Sequence, residues 1–194
     1  MARPSDGNKK ERILDAAVVE IAHRGYHATT VARIAKRAGV ADGTIYLYFK
    51  NKEEILFSLF DRAMGRFIDA GQALLEKPST ATEKLRSIIE LHLTLVGEDR
   101  DQAIITQVEL RHSLHFMDQL SRAQVGQYLE YIAMVVVQGQ NAGEFRSDLV
   151  FASKAIFGVL DEMATDWVLS RRNTRLEGKS AVVADFILAG LMVK

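Results

Sequence analysis

Apolar residues recur every three to four positions along most of the chain, and this spacing predicts amphipathic helices. One apolar stripe runs from Lys9 to Arg24 and stops at Gly25, and a longer stripe runs from Asn51 to about Leu75. Two prolines in the chain and few alternating segments argue against β-sheet. Further segments with helical spacing cover residues 80–96, 101–114, 116–141, 148–171 and 179–192. The pattern predicts an all-α protein of about nine helices.

The segment TTVARIAKRAGVADGTIYLYFKNKEE, residues 29–54, predicts two short helices and a tight turn, followed by the start of a longer helix. Thr29 and Thr30 are suited to N-cap the first helix, and Asp42 is suited to cap the second. Gly39 fits the left-handed position that ends a helix. This is the helix-turn-helix pattern, in which the second helix enters the major groove of DNA.

The distribution of charge supports contact with nucleic acid at one end of the chain. The formal net charge is zero, but residues 1–52 hold 10 Lys or Arg against 5 Asp or Glu, and the remaining residues hold 15 against 20. A basic N-terminal module on an acidic body is expected when one end alone meets phosphates. No cysteine is present, the opening MARPSDGNKK is not a signal peptide, and the most apolar segment, residues 181–193, is too short to span a bilayer. A soluble cytoplasmic protein is therefore expected.

The run AGVADGTIYLYFKNKEEIL, residues 38–56, resembles the DNA-binding signature of TetR-type bacterial transcriptional regulators at nearly every position. The resemblance implies an N-terminal three-helix DNA-binding domain at residues 1–52 and a C-terminal helical domain at residues 53–194, which binds a ligand and dimerises. It also implies that residues 42–48 form the recognition helix and that two such helices read a palindromic operator on double-stranded DNA. The predicted DNA-contacting residues are Thr30, Arg33, Gly43, Thr44, Tyr46, Leu47, Tyr48 and Lys52.

The segments TQVELRHS and IFGVLDEMATDWVL, together with the N-terminal motif, are similar to the FadR branch of TetR-type repressors, which control fatty-acid degradation. That similarity implies a long-chain fatty acyl-CoA as the effector that releases the operator. Arg111 and Arg122 are then candidates to meet the CoA phosphates. The predicted lining of the apolar tunnel is Leu91, Ile104, Val108, Phe116, Leu129, Ile132, Phe157 and Trp167. A different apolar effector, such as a drug or an aromatic compound, remains an alternative for the same architecture.

The helices beyond Leu75 are apolar on more than one face, which predicts an internal cavity, a subunit interface, or both. Two helices carry stripes that favour close approach by another helix, and we expect them to pair with their copies in a two-fold dimer. The predicted interface residues are Ala155, Gly158, Glu162, Thr165 and Leu169 on one helix, and Val183, Phe186, Ile187 and Gly190 on the other.

The remaining polar residues give no sign of catalysis. His112 and His115, with Glu109 nearby, have spacing that a metal site can use, but lone helical histidines are usually surface or satisfied core residues, so no metal and no cofactor are predicted. Glu109 and Arg111 are two positions apart and cannot share a helix face. One of them is expected at the bundle interior or its mouth, in an ion pair or against an anionic ligand. An enzyme or lipid carrier that contains a helix-turn-helix is the disfavoured alternative.

Overall fold

The structure, a computed structural model, describes residues 6–112, 124–170 and 175–193. Over these residues it contains nine α-helices, two 3₁₀ segments at Glu109–His112 and Glu177–Lys179, and no β-strand, so the all-α prediction is confirmed. The helices, in chain order, are α1 (Asp6–Arg24), α2 (Val31–Ala38), α3 (Asp42–Ile45), α4 (Lys52–Leu75), α5 (Ala81–Glu98), α6 (Arg100–Gln107), α7 (Gly126–Asn141), α8 (Ala152–Leu169) and α9 (Ser180–Leu191). None of these helices is both long enough and apolar enough to cross a membrane.

The first three helices form a small bundle because each contributes a few fully buried aliphatic or aromatic side chains. The side chains of Ile13, Ile21, Ile34, Ile45 and Phe49 are at most 2 % exposed. Their burial removes apolar surface from water, which is the main stabilising contribution available to a bundle of this size.

The caps of α2 fix the turn geometry of the bundle. The Thr30 side chain accepts a hydrogen bond from the Arg33 N–H at 3.3 Å, and Gly39 ends the helix in the left-handed conformation with φ 66°. Thr29 is not a second cap. Its hydroxyl is buried and lies 3.0 Å from the carbonyl oxygen of Glu20 and 2.9 Å from that of Gly25, so it holds the turn against α1.

Helix α4 belongs to both halves of the molecule. Asn51 caps its start by accepting from the Glu54 N–H at 2.8 Å. The helix contacts α1 of the N-terminal bundle and also α5, α6 and α7 of the body. At 1.5 Å per residue, this 24-residue helix is about 36 Å long, so it reaches from the N-terminal bundle into the body.

The body is built around α5, which contacts α4, α6, α7, α8 and α9. Thr80 starts α5 with a capping box, in which its side chain and that of Glu83 satisfy each other's backbone N–H groups. The α7–α8 connection packs closely, because a Cβ at Gly139 would lie 2.2 Å from the Phe145 ring. Glycine is therefore required at residue 139.

Several predicted helix boundaries are wrong, for local reasons. Residues 97–100 do not form a loop, because α5 continues to Glu98 and Asp99 then caps α6 by accepting from the Gln102 N–H at 2.9 Å. Asp42 is the first residue of α3 and not its cap. Asp148 does not cap α8 either: it pairs with Arg146 at 2.8 Å, and the helix begins at Ala152. Of the helix predicted over residues 116–141, the part up to residue 123 lies outside the described residues.

Candidate nucleic-acid interface and ligand cavity

Helix α3 and the turn that follows present two large side chains to solvent. Tyr46 is 58 % and Leu47 is 80 % exposed. Ile45 and Phe49 point into the bundle, and the Phe49 N–H donates to the Ile45 carbonyl oxygen at 3.0 Å, which keeps the turn helical. Such exposure of large apolar side chains in a small, anchored element is expected where another molecule docks.

The other predicted DNA-contacting residues lie around this surface. Thr30, Arg33 and Gly43 are exposed, and Thr44 and Tyr48 are half-buried. Apart from its two chain neighbours and the backbone of its own helix, no atom lies within 4 Å of a Cβ placed at Gly43, so the backbone of α3 is open to close approach. The surface also exposes two cations that the predicted site did not include, Lys36 and Lys50.

Arg37 is on the same helix as Arg33 but is neutralised within the protein. Its Nε donates to Glu20 at 2.6 Å, and Arg24 donates to the same carboxylate at 3.0 Å. The hydrogen bond from Arg37 holds the pKa of Glu20 below its ordinary value. The carboxylate therefore stays charged and joins α1 to α2, while Arg33 and Lys36 keep the positive charge of that face.

Lys52 contacts carbonyl oxygens of the protein itself, and its contact with a phosphate stays a prediction. Its ammonium group donates to the carbonyl oxygens of Tyr26 and Thr29, both at 2.7 Å, and lies 4.3 Å from the centre of the Tyr26 ring. Partial burial lowers its pKa below the usual lysine value. The charge thus binds the turn between α1 and α2 to the start of α4.

A cavity of about 460 Å³ lies between α4, α5, α6, α7 and α8. This volume is within the range of small-molecule sites, roughly 300–1,000 Å³. Most of its wall is apolar. The apolar wall includes Phe60, Met64, Phe67, Leu95, Val96, Leu110 and Phe157.

Two polar aromatic residues stand among these apolar ones. His92 and Tyr128 line the cavity, and the His92 Nδ1 lies 3.1 Å from the Tyr128 hydroxyl. The His92 Nε2 is buried without a hydrogen-bond partner among the described residues. Burial lowers the pKa of His92 to about 4, so its imidazole is neutral at physiological pH. The rings of Phe67 and Phe157 pack against the pair, with centroids 5.1 and 6.4 Å from that of His92.

The cavity only partly matches the predicted tunnel. Phe157 lines it as predicted, whereas Ile132 is fully buried in the core and Trp167 packs against the Arg100 guanidinium at 4.8 Å. Leu91, Ile104, Val108 and Leu129 are half-buried and do not line this cavity. Phe116 and Arg122 lie outside the described residues, and of Arg111 only the backbone is described.

Five charged residues line the cavity: Asp15 of α1, Arg62 and Arg66 of α4, Asp99, and Asp161 of α8. We call the first four the mouth of the cavity. Arg62 pairs with Asp15 at 2.7 Å and with Glu11 at 3.2 Å. Arg66 pairs with Glu98 of α5. The sequence-based prediction therefore missed these two basic residues. It chose Arg111 and Arg122, on a different segment, as candidates to meet the CoA phosphates.

A second link joins the cavity wall to the helix-turn-helix. Leu110 lines the cavity, and its neighbour Glu109 accepts a hydrogen bond from the Tyr26 backbone N–H at 2.8 Å. Glu109 thus ends at the turn between α1 and α2, not in an ion pair inside the body. We expected one residue of the Glu109 and Arg111 pair to reach the bundle interior or its mouth. Glu109 instead reaches the Tyr26 N–H. The side chain of Arg111 is outside the described part of the structure.

The predicted dimer faces are partly exposed. Ala155, Gly158, Glu162 and Leu169 of α8 are exposed, and Leu169 is 64 % accessible. Thr165 is half-buried, and its hydroxyl donates to the Asp161 carbonyl oxygen at 3.0 Å.

The predicted stripe on α9 is rotated by one position. Val183 and Ile187 are buried, because this face of α9 packs on α5. Val182 and Phe186, at 73 % and 71 % exposed, form the outward apolar face together with exposed Gly190. The two interior residues cannot meet a partner unless α9 leaves the core.

Comparison with known proteins matches both halves of the chain. Residues 13–59 match the family model of bacterial regulatory proteins of the tetR family, and residues 60–190 match that of the C-terminal region of YsiA-like proteins. The chain belongs to the TetR family. Its members are bacterial regulatory proteins, so the protein is a DNA-binding transcriptional regulator and not an enzyme.

Relatives within the TetR family are similar over nearly the whole chain. The fatty acid metabolism regulator protein of Bacillus subtilis is 42 % identical over 94 % of this chain and 95 % of the relative. The crystal structure of FadR from Bacillus subtilis in complex with stearoyl-CoA is 41 % identical with a TM-score of 0.86, covering 93 % of this chain and 98 % of that one. FadR from Bacillus halodurans is 38 % identical with a TM-score of 0.88, covering 98 % and 97 %.

Proposed function

We propose that this TetR-family protein is a homodimeric repressor of fatty-acid degradation genes that a long-chain fatty acyl-CoA releases from a palindromic operator. The observation that carries the proposal is the apolar cavity with two arginines at its mouth. An acyl chain fits the apolar wall, and CoA phosphates fit guanidinium groups, which bind phosphate through paired hydrogen bonds. The relatives named above are a fatty acid metabolism regulator and a FadR that binds stearoyl-CoA. A drug or aromatic effector would not need two arginines at the mouth.

On DNA, two copies of the α3 surface would enter successive major grooves about 34–36 Å apart. We assign base-edge contacts to Thr44 and Tyr46, with Gly43 allowing the backbone to come close and Leu47 packing on the groove. Thr30, Arg33 and Tyr48 would hold phosphates, which position the protein without reading sequence. Lys52 supports the turn behind this surface. Operator binding should therefore weaken steeply as salt rises.

Two functional units are joined through α4. We divide the chain into a DNA-binding domain at residues 1–52 and a ligand-binding and dimerisation domain at residues 53–194. Helix α4 begins in the DNA-binding half and forms part of the cavity wall. A ligand that favours a shifted α4 by a few kcal/mol would move the recognition helices out of register with the operator. A regulator that binds operators on chromosomal DNA acts in the bacterial cytoplasm, so we propose a cytoplasmic location.

The dimer would form through the outward faces of α8 and α9. Their exposed members are Ala155, Gly158, Glu162, Leu169, Val182, Phe186 and Gly190. Large exposed apolar side chains beside small residues favour close packing of helices against a second copy.

The proposal is tested by replacing Tyr46 and by titrating acyl-CoA against the operator complex. Tyr46→Ala should lower operator affinity by about 1–3 kcal/mol, roughly 5- to 150-fold, in a mobility-shift assay. Met134→Ala is the matched control, because Met134 is also 58 % exposed but lies on α7. Long-chain acyl-CoA should release the wild-type complex. Unchanged binding by Tyr46→Ala, together with no release by any long-chain acyl-CoA, would refute the proposed function.

A further inference from the structure

The two arginines at the cavity mouth, Arg62 and Arg66, lie on consecutive turns of α4 and form ion pairs with different partners. Arg62 bridges to Glu11 and Asp15 of α1, at 3.2 and 2.7 Å. Arg66 pairs with Glu98, at the end of α5. Both arginines and Asp15 also line the cavity. The mouth is therefore where the ligand-binding body and the DNA-binding bundle share a set of charges.

Arg62 makes one of the connections between these two parts. Its side chain is 29 % exposed, whereas those of Glu11 and Asp15 are 59 % and 70 % exposed. The guanidinium is thus held between the two carboxylates of α1, with one face on the cavity. A guanidinium group offers a planar set of donors that suits phosphate as well as carboxylate.

We infer that Arg62 is an exchange switch: in the ligand-free protein it pairs with Glu11 and Asp15 of α1, and a phosphate group of a bound acyl-CoA takes it from them, with Arg66 as the second phosphate ligand. This inference rests on the proposed function, because it requires an acyl-CoA in the cavity. It assigns the phosphate contacts to α4 and names the first event that uncouples the DNA-binding bundle.

The exchange acts on α1 through charge. With Arg62 on the phosphate, Glu11 and Asp15 lose their cation and face a new anion, which like-charge repulsion disfavours. Before binding, the mouth attracts Glu11 and Asp15 through Arg62, and after binding it repels them through the phosphate. The ligand therefore favours a position of α1 farther from the mouth. An effector shifts an equilibrium only by such differential contacts. The acyl chain alone does not produce this difference, since it carries no group for Arg62.

The decisive variant is the double change Glu11→Gln and Asp15→Asn, which keeps Arg62 but removes the carboxylates that compete for it. Stearoyl-CoA should bind this variant at least as tightly as it binds wild type in isothermal titration calorimetry. Its effect on operator affinity should fall from the range typical of allosteric effectors, about 5–150-fold, to about twofold or less. The effect is read as the ratio of operator affinities with and without ligand, which cancels any direct gain in DNA affinity.

Arg62→Gln tests the phosphate contact itself. Stearoyl-CoA should bind this variant about tenfold more weakly, as expected for loss of one hydrogen-bonded ion pair. Stearoyl-pantetheine, which has the chain and the thioester but neither a phosphate nor a carboxylate, should bind both proteins equally and should not release the operator. Arg86→Gln is the matched control, because Arg86 also joins two helices, pairing with Asp185 at 2.7 Å, but does not line the cavity.

The outcomes separate the two proposals. If stearoyl-CoA neither binds nor releases wild type, the proposed function fails. If it does both, but releases the operator equally well from the double variant, or binds Arg62→Gln as tightly as wild type, the exchange switch is wrong and the proposed function stands.

Discussion

His92 is a titratable side chain that the fold buries among apolar and aromatic residues. A buried imidazole among aromatic rings is neutral because the interior disfavours its charged form. Its Nδ1 lies 3.1 Å from the Tyr128 hydroxyl, and its Nε2 is buried without a hydrogen-bond partner among the described residues. The sequence indicated only that His92 stands among leucines. That it lines a cavity depends on which helices surround α5.

The lowered pKa of His92 makes folding sensitive to acid. The unfolded chain binds a proton at this residue near pH 6.5, whereas the folded chain does so only near pH 4. Stability is therefore lost as the pH falls from about 6.5 to about 4, by on the order of 3 kcal/mol at about 1.4 kcal/mol per pH unit. Urea unfolding of wild type and of His92→Gln, measured across this range, checks it.

The glutamine keeps an acceptor for Tyr128 but does not titrate, so the two proteins should differ in slope whatever their absolute stabilities. The free energy of unfolding of wild type should fall more steeply with acid than that of His92→Gln. Parallel curves between pH 6.5 and pH 4 would show that His92 is protonated as readily in the folded chain.

Lys52 shows which part of the DNA-binding site the sequence could not predict. The helix-turn-helix, the Thr30 cap and the left-handed Gly39 follow from local rules and are present. Where the Lys52 ammonium goes depends on carbonyl oxygens of residues 26–29, which the fold brings next to the start of α4. A motif therefore predicts the backbone of such a site better than the destination of a long charged side chain.

At the scale of elements, the 3₁₀ segment after α6 connects two surfaces. It puts Leu110 in the cavity wall and the Glu109 carboxylate on the Tyr26 N–H at 2.8 Å. The sequence predicted one continuous helix over residues 101–114. Apolar spacing continues through this region, so periodicity alone does not reveal the change of helix type.

Glu109→Ala should destabilise the protein by about 1–2 kcal/mol relative to Glu109→Gln, since the alanine leaves the partly buried Tyr26 N–H without its acceptor and the glutamine supplies one. Urea unfolding monitored by circular dichroism measures the difference. Equal stabilities for the two variants would mean that this hydrogen bond contributes nothing to holding the 3₁₀ segment on the turn.

The same limit explains the cavity. The similarity to acyl-CoA-responsive repressors implied that Ile132 and Phe157 line the tunnel, and the structure places Ile132 in the core and Phe157 on the cavity wall. One fills the core completely and the other lines the cavity, because neighbouring helices close over Ile132 and leave a space beside Phe157. Whether an inward residue fills the core or lines a cavity depends on how neighbouring helices pack. The hydrophobic pattern of a single helix does not give this information.

At the scale of the whole molecule, the outward faces of α8 and α9 remain as apolar surface that a monomer does not bury. Helix α9 is apolar nearly all round, so its sequence gave no basis for choosing the face. The contact with α5 makes that choice: Val183 and Ile187 go inward, and Val182 and Phe186 remain outside.

This arrangement predicts that Phe186→Asp converts the dimer into a folded monomer. Phe186 is 71 % exposed in the single chain, so the change should leave helix content and unfolding of the protomer unaltered. In the dimer the aspartate would be buried against the partner without a cation, a strongly unfavourable contact. Sedimentation equilibrium at micromolar protein should give a monomer mass, and operator binding should fall because the two half-sites are no longer read together. Met134→Asp, on the exposed part of α7, should remain dimeric. A Phe186→Asp protein that still sediments as a dimer would place the interface on another face.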